Sequence, residues 1–381
     1  MANVIIIGPA YPLRGGLATF NHRLAKEFIE MGHTCSIWSF SLQYPSILFP
    51  GKTQYSDEPA PEGISIHTKI NSINPLNWLF VGRQLRRLKP DILVVRYWLP
   101  FMGPALGTIL RQVRKNKHTK IVCIADNIIP HEKRPGDKGF TRYFIKACDA
   151  FITMSDKVMK DLKSLDVLKP ATLVQHPLYD NFGAILSKEE AQQFLGIQPH
   201  QRIVLFFGFI RKYKGLDLLL RAFKILLDKE TKDSDKTTEN QFRLLIAGEF
   251  YEDEKPYQDL IDELGIREQL ILKTHFIADS EVKFYLCAAD LLVQPYKNAT
   301  QSGVTPLAYY FEKPMIVTNV GGLPDLVPHE KCGLVAEPNP ESIATAIKKF
   351  YEIGEQQFIP HLQKQKQQYS WSNIVDAILN F

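Results

Sequence analysis

Two segments of the second half bring cations and small residues to places where an anion or a sugar could be held. In Phe207-Gly-Phe-Ile-Arg211-Lys-Tyr-Lys214-Gly215, an apolar run gives way to a helical pattern, and Arg211, Lys212 and Lys214 stand at the turn. Guanidinium and ammonium groups beside helix N–H groups can spread the charge that develops on a departing nucleoside diphosphate. The second segment, Pro295-Tyr-Lys-Asn298-Ala-Thr-Gln-Ser302-Gly303-Val304-Thr305-Pro306, is rich in small residues that let backbone amides face a phosphate or sugar. Asn319-Val-Gly321-Gly322-Leu-Pro-Asp325 makes a third open turn after an apolar run. In the first half, Gly15-Gly16 lies between the first apolar run and the first helical pattern, the position of a phosphate-binding turn. Asp126-Asn127-Ile-Ile-Pro-His131-Glu132 gathers two carboxylates, an amide and an imidazole where another apolar run ends. Taken singly, a basic surface loop, a tight turn or a helix cap explains each segment as well.

Other chemistries lack their residues. There is no G-x-G-x-x-G after the first strand and no acidic residue closing the second, which disfavours a dinucleotide cofactor. Gly51-Lys52-Thr53 resembles the end of a P-loop, but Ser46 occupies the place of its leading glycine. Asp233-Ser-Asp235 resembles a metal-binding D-x-D but falls in a lysine-rich polar stretch. Serine and zinc hydrolase signatures are missing. Cys35, Cys123, Cys148, Cys287 and Cys332 are scattered without a C-x-x-C pair, the pattern of small buried hydrophobes rather than of a zinc site. Neither the cysteines nor the D-x-D is expected to hold a metal.

The elements that must position these segments alternate along 381 residues, of which 45% are hydrophobic and 23% charged. Strands are expected at Val4–Ile7, Thr34–Phe40, Ile92–Arg96, Ile121–Ala125, Phe151–Met154 and Thr172–Gln175, with amphipathic helical patterns between most of them. The order strand, glycine, loop, helix then restarts at Ile203–Phe207, followed by strands at Arg243–Ala247, Leu270–Leu272, Leu291–Gln294 and Met315–Thr318. Between Asp228 and Gln241 nearly every residue is charged or polar, which reads as a solvated loop. Such alternation implies an α/β fold of two Rossmann-like, doubly wound parallel sheets. Ligands of these sheets bind outside the strands' carboxyl ends, so two such edges facing across a cleft suit group transfer.

Charge is uneven. The net charge is +5, yet residues 1–180 carry 24 Lys and Arg against 14 Asp and Glu, or +10. This points to an anionic partner for the first half. No apolar run reaches the roughly 18–20 residues of a membrane span, and the N-terminus lacks the features of a signal peptide, so a cytoplasmic protein is expected.

In their order, these segments resemble glycosyltransferase family 4, retaining enzymes of the GT-B fold. The resemblance runs from Pro12–Gly16 through Ser155-Asp-Lys-Val158, His176-Pro-Leu-Tyr-Asp180, Lys214-Gly215, Ile246-Ala-Gly248 and Val320-Gly321-Gly322-Leu-Pro to Tyr369-Ser-Trp371. It implies an acceptor-binding domain over 1–180, a nucleotide-sugar-binding domain over 181–360, and a final helix in 361–381 crossing back to the first. It implies no cofactor and a UDP- or GDP-sugar donor held by Gly15, Gly16, Gly248, Thr274, Phe276, Asn298, Ser302, Gly303, Val304 and Thr305. The catalytic residues would be Arg211, Lys214 and Asp126, with Asn127, His131 and Glu132 on the acceptor side. The sequence departs from the family pattern at three places. Phe209 stands where the phosphate-binding arginine usually follows the strand-end glycine, and Asp126 stands where a histidine is usual. The E-x7-E motif falls on Ala299 and Leu307, neither of them acidic.

The function implied is retaining transfer of a sugar to a saccharide or lipid-linked saccharide in surface polysaccharide or lipopolysaccharide synthesis. The missing glutamates keep open a non-catalytic nucleotide-sugar-binding component, and a GT-B-type sugar-nucleotide epimerase is a further alternative. Basic runs at Arg83–Lys89 and Arg111–Lys120 suggest peripheral contact with an anionic membrane. The second run follows Leu106, Ile109 and Leu110 in an amphipathic pattern. Nothing suggests a nucleic-acid partner.

Overall fold

The computed structural model describes residues 1–45, 53–129, 135–165, 168–233, 242–299 and 302–381. The chain forms two compact units, one of Met1–Pro177 with Ser370–Phe381 and the other of Leu178–Tyr369. The first unit thus ends at Pro177 rather than at 180, and the C-terminal segment that belongs to it begins at Ser370 rather than at 361.

The first unit holds a parallel sheet of β1 (Asn3–Ile7), β2 (Thr34–Leu42), β3 (Ser65–Asn71), β4 (Ile92–Tyr97), β5 (Lys120–Ala125), β6 (Ala150–Thr153) and β7 (Ala171–Leu173). Their order is β3-β2-β1-β4-β5-β6-β7. β4 is buried along its whole length and β5 along all but its first residue, which is why they read as unbroken apolar runs. Helices α1 (Gly16–Glu30), α2 (Pro75–Leu88), α3 (Gly103–Val113), α4 (Asp137–Ile145) and α5 (Asp156–Lys163) connect the strands. Side chains fix two of the helix starts: Asn74 accepts from the amides of Leu76 and Asn77, and Ser155 from that of Val158. Strand order reverses between β1 and β4, so the loop holding Gly15 and Gly16 leaves the sheet at its switch point. Right-handed crossovers place α1 on one side of the sheet and α2, α3 and α4 on the other. α3 packs against both of those neighbours.

The second unit holds a parallel sheet of β8 (Arg202–Phe207), β9 (Phe242–Ala247), β10 (Leu270–Lys273), β11 (Leu291–Gln294), β12 (Met315–Thr318) and β13 (Gly333–Ala336), in the order β10-β9-β8-β11-β12-β13. Its helices are α6 (Lys188–Leu195), α7 (Leu216–Asp233), α8 (Lys255–Leu264), α9 (Val282–Ala288), α10 (Val304–Tyr310), α11 (Leu323–Leu326), α12 (Pro340–Ile353) and α13 (Ile359–Lys366). The last helix, α14 (Trp371–Leu379), packs on α1 in the first unit, with the Trp371 ring 4.8 Å from that of Phe20 and under the Arg23 guanidinium.

Three expectations are corrected. The segment from Asp228 is not loop at its start, because α7 continues through Asp233; the residues from 234 to 241 lie outside the described ones. Strands β3 and β13 were not anticipated. Leu106, Ile109 and Leu110 are fully buried, so the apolar side of α3 faces the core and no membrane. The five cysteines are free thiols, four of them buried.

Candidate functional site

In the second unit, the loops at the carboxyl ends of β8, β9, β11 and β12 interlock through glycines. Gly215 has φ +69°, and a Cβ there would lie 2.0 Å from the carbonyl oxygen of Pro295. Gly248 has φ +143°, and a Cβ there would lie 2.2 Å from that of Gly208. Side chains are excluded at both positions, and the backbones of adjacent loops close up instead.

Around this cradle the basic loop is ordered by its own contacts. Lys214 is only 8% exposed, at the end of a short 3-10 turn. Its Nζ lies against Gly208 and 5.7 Å from the centre of the Tyr296 ring. Burial, aided by the charge of Arg211, lowers its pKa to about 8. Among the described residues no carboxylate pairs with Lys214 or Arg211. Phe209, at the position where the resemblance implies an arginine, stacks on Tyr251 at 4.2 Å, and Arg211 lies over the same Tyr251 ring at 5.2 Å. The loop's backbone is pinned as well: the Lys212 amide donates to Glu252, and the Lys297 amide to the Tyr213 carbonyl. Among the described residues, then, two cations without a carboxylate partner stand beside a glycine cradle, an arrangement able to hold an anion.

The remaining expected donor-side residues divide. Val304 approaches Gly208 from the start of α10, so Arg211, Lys214, Gly248 and Val304 gather around one strand end. Ser302 is buried, its hydroxyl bonded to that of Tyr296 and accepting from the Val304 amide. Gly303 and Asn298 are exposed nearby. Phe276 joins the aromatic group at 6.3 Å from Phe209, and Thr274 is half-buried in the same loop. Thr305 is buried and donates to Gln294, so its hydroxyl belongs to the core rather than to a ligand. Ala299 and Leu307 are likewise buried, and the Ala299 carbonyl packs on Gly321. Packing has taken over both positions where the resemblance implies glutamates. Sequence reasoning missed Tyr296, Tyr251 and the buried Glu249; a strand-end carboxylate directly after Gly248 was the available signal for the last.

In the first unit, Gly15 has φ +100° and opens α1 without a side-chain cap. Asp126, at the end of β5, accepts from both Nε and Nη2 of Arg96 at 2.6 Å. Burial pushes the Asp126 carboxyl up, and the Arg96 charge opposes it. The guanidinium lies 3.8 Å from the centre of the Phe20 ring, with Nη1 buried and unpartnered among the described residues. Asp126 therefore stands as half of a buried ion pair with Arg96. His176 packs edge-on against Phe20, and burial lowers its pKa to about 4. Arg96 gave no sequence signal, since it sits inside an apolar strand. Asn127 is half-buried, while His131 and Glu132 lie outside the described residues.

Two family models match the chain: "Glycosyltransferase Family 4" over residues 14–177 and "Glycosyl transferases group 1" over residues 187–367. An uncharacterized glycosyltransferase of Methanocaldococcus jannaschii is 30% identical over 207 residues, 52% of this chain and 50% of that protein. TuaC of Bacillus subtilis, named for teichuronic acid biosynthesis, is 23% identical over 267 residues, 70% of this chain and 62% of that protein. The chain thus spans half to three fifths of the length of these two relatives. Among solved structures, HepE of Anabaena in complex with UDP superposes with a TM-score of 0.70 at 14% identity, covering 99% of this chain and 98% of that one. At that identity the likeness establishes the fold.

Proposed function

Because the chain belongs to the family-4 type of GT-B glycosyltransferases, we propose that it moves a sugar from a nucleoside diphosphate sugar, with UDP or GDP as the carrier, to a saccharide or lipid-linked saccharide acceptor. The observation that carries this reading is Lys214, a buried cation without a carboxylate partner among the described residues, set with Arg211 at a glycine-lined strand end. The UDP complex of HepE and the polysaccharide name of TuaC support donor class and setting, respectively. The setting would be surface polysaccharide synthesis at the cytoplasmic face of a membrane.

In the mechanism we favour, the acceptor oxygen attacks the anomeric carbon on the face from which the diphosphate departs. A new C–O bond forms as the bond to the diphosphate oxygen breaks, and that oxygen takes the acceptor's proton. Configuration is retained without an enzymic nucleophile or a metal. Arg211 and Lys214 stabilise the leaving diphosphate, worth roughly 3–4 kcal/mol for one such donor. Within the second unit the amides near Ser302 and Gly303 complete the donor contacts and Thr274 and Phe276 face the base, while the first unit holds the acceptor.

A second reading has its own observation: the burial of Ala299 and Leu307 fits a protein that binds a nucleotide sugar without turnover. Incubation with radiolabelled UDP- and GDP-sugars and a membrane lipid extract separates the two. Label entering an extract-dependent product with the donor's anomeric configuration supports retaining transfer. Binding of a donor with no product in any extract supports the second reading, and inverted product overturns the front-face mechanism.

A further inference from the structure

The loops that follow β8 and β9 continue the pairing of those strands past the glycine that ends each one. In the sheet Phe207 stands opposite Ala247, and beyond Gly208 and Gly248 the same parallel register resumes with Ile210 opposite Phe250. The Ile210 amide donates to the Glu249 carbonyl and the Tyr251 amide to the Ile210 carbonyl, the slanted ladder of parallel strands. Further along, the Lys212 amide donates to the Glu252 carboxylate, whose other oxygen accepts from the Tyr257 hydroxyl on α8. The loop that presents Arg211 is therefore an extension of the sheet, tied down at both ends. In its register Arg211 falls opposite Tyr251.

Side chains on extended backbone alternate between two sides. Ile210 is fully buried, so Phe209 and Arg211 project together to the other side, where the Tyr251 ring meets both, at 4.2 Å and 5.2 Å. Arg211 itself is exposed. An exposed arginine samples many rotamers, and ordering it on a ligand costs affinity. A guanidinium resting on a ring that Phe209 already holds has met part of that cost before the ligand arrives. The Arg211 charge also acts on Lys214, whose Nζ lies against Gly208. Like charges repel, so an unrestrained guanidinium would swing away from Lys214; the ring opposes this.

We infer that Tyr251 is a positioning residue, whose ring holds the Arg211 guanidinium beside Lys214 ready for the diphosphate of the donor. This rests on the function proposed above and adds to it the residue that sets one of the two cations. In the full chain with arginine nitrogen-labelled at Nε, the Arg211 Nε–H resonance, assigned by its loss in Arg211→Gln, should be displaced by the ring current of Tyr251. Tyr251→Phe keeps the displacement and Tyr251→Leu abolishes it. Calorimetric titration with UDP and GDP should then show binding about three- to tenfold weaker for Tyr251→Leu, and within about twofold of wild type for Tyr251→Phe. In an Arg211→Gln background Tyr251→Leu costs nothing further, because its effect passes through the arginine. A ring that merely braced the loop would weaken binding in that background as well. The wild-type resonance decides the point even if Tyr251→Leu fails to fold. An Arg211 resonance at the position of a free exposed arginine, undiminished binding by Tyr251→Leu, equal losses in Tyr251→Phe and Tyr251→Leu, or additive losses in the double variant overturns the inference while nucleotide binding stands. Absence of nucleotide binding by the wild type overturns the proposed function, and this role of Tyr251 with it.

Discussion

Lys214 carries a charge that no carboxylate neutralises among the described residues, and this gives it a pH signature. Burial favours the neutral amine and lowers the pKa to about 8, whereas a bound diphosphate favours the ammonium. Nucleotide affinity is therefore expected to be full below pH 8 and to weaken above it, by at most tenfold per pH unit. Calorimetric titration with UDP and GDP from pH 7 to 9 checks this; affinity that rises with pH would assign the ammonium no role. Arg96 and Asp126 make a separate prediction. Arg96→Ala leaves a buried carboxylate unpaired and should cost about 3–5 kcal/mol, whereas Arg96→Met combined with Asp126→Leu should recover much of the loss. Urea denaturation of Arg96→Met, Asp126→Leu and the double variant reads the coupling. At this scale the sequence was half legible. The cations of the Arg211 loop stood out because charge at a strand–helix turn is conspicuous. Arg96 did not, because a long side chain inside an apolar strand shows its partner only once β4 and β5 are paired.

The elements were legible in proportion to their burial. β1, β4, β5 and β8 are enclosed on both faces, so their apolar runs mark them to within a residue or two. β3 is an edge strand with one buried residue and a largely polar sequence, and β13 has four residues beginning at a glycine, so neither carries a period to read. The polar start of the segment after Asp228 hid the last turns of α7, since an exposed helical end and a loop share a composition. Contacts between elements also set the cost of glycine replacement. Gly215→Ala must move the Pro295 carbonyl and hold a left-handed backbone, and should destabilise the second unit by at least about 2 kcal/mol. Gly265→Ala, also left-handed but with open space around it, should cost about 1 kcal/mol. A denaturant series on both variants separates steric exclusion from backbone strain.

On the scale of the whole molecule, each unit builds its own core, and α14 completes the first by covering Phe20 on α1. Trp371→Ala should therefore destabilise the first unit, by about 3–5 kcal/mol, and leave the second unchanged. Acid should act on the same unit. His22 and His176 are held neutral by burial with pKa values of about 4, below the ordinary 6.5. Between those values the unfolded chain binds more protons than the folded one, so stability falls as pH drops from 6.5 towards 4. Each histidine contributes about 2 kcal/mol of loss between pH 7 and pH 5. His176→Phe should flatten that part of the profile in urea titrations. Two α/β units were evident from the sequence because the strand–glycine–helix unit restarts near residue 202. The boundary at Pro177 and the return of the chain at Ser370 were not, since both depend on which core a segment packs against.

The anion site proposed at Arg211 and Lys214 is tested most directly by calorimetric titration of UDP, GDP and their common sugar derivatives into the wild type, Arg211→Gln and Lys214→Met at pH 7. One nucleotide family should bind the wild type, with affinity reduced about 10–100-fold in each variant while both remain folded. Equal binding by wild type and variants, or no binding of any nucleotide by the wild type, would contradict a nucleoside diphosphate site at this strand end.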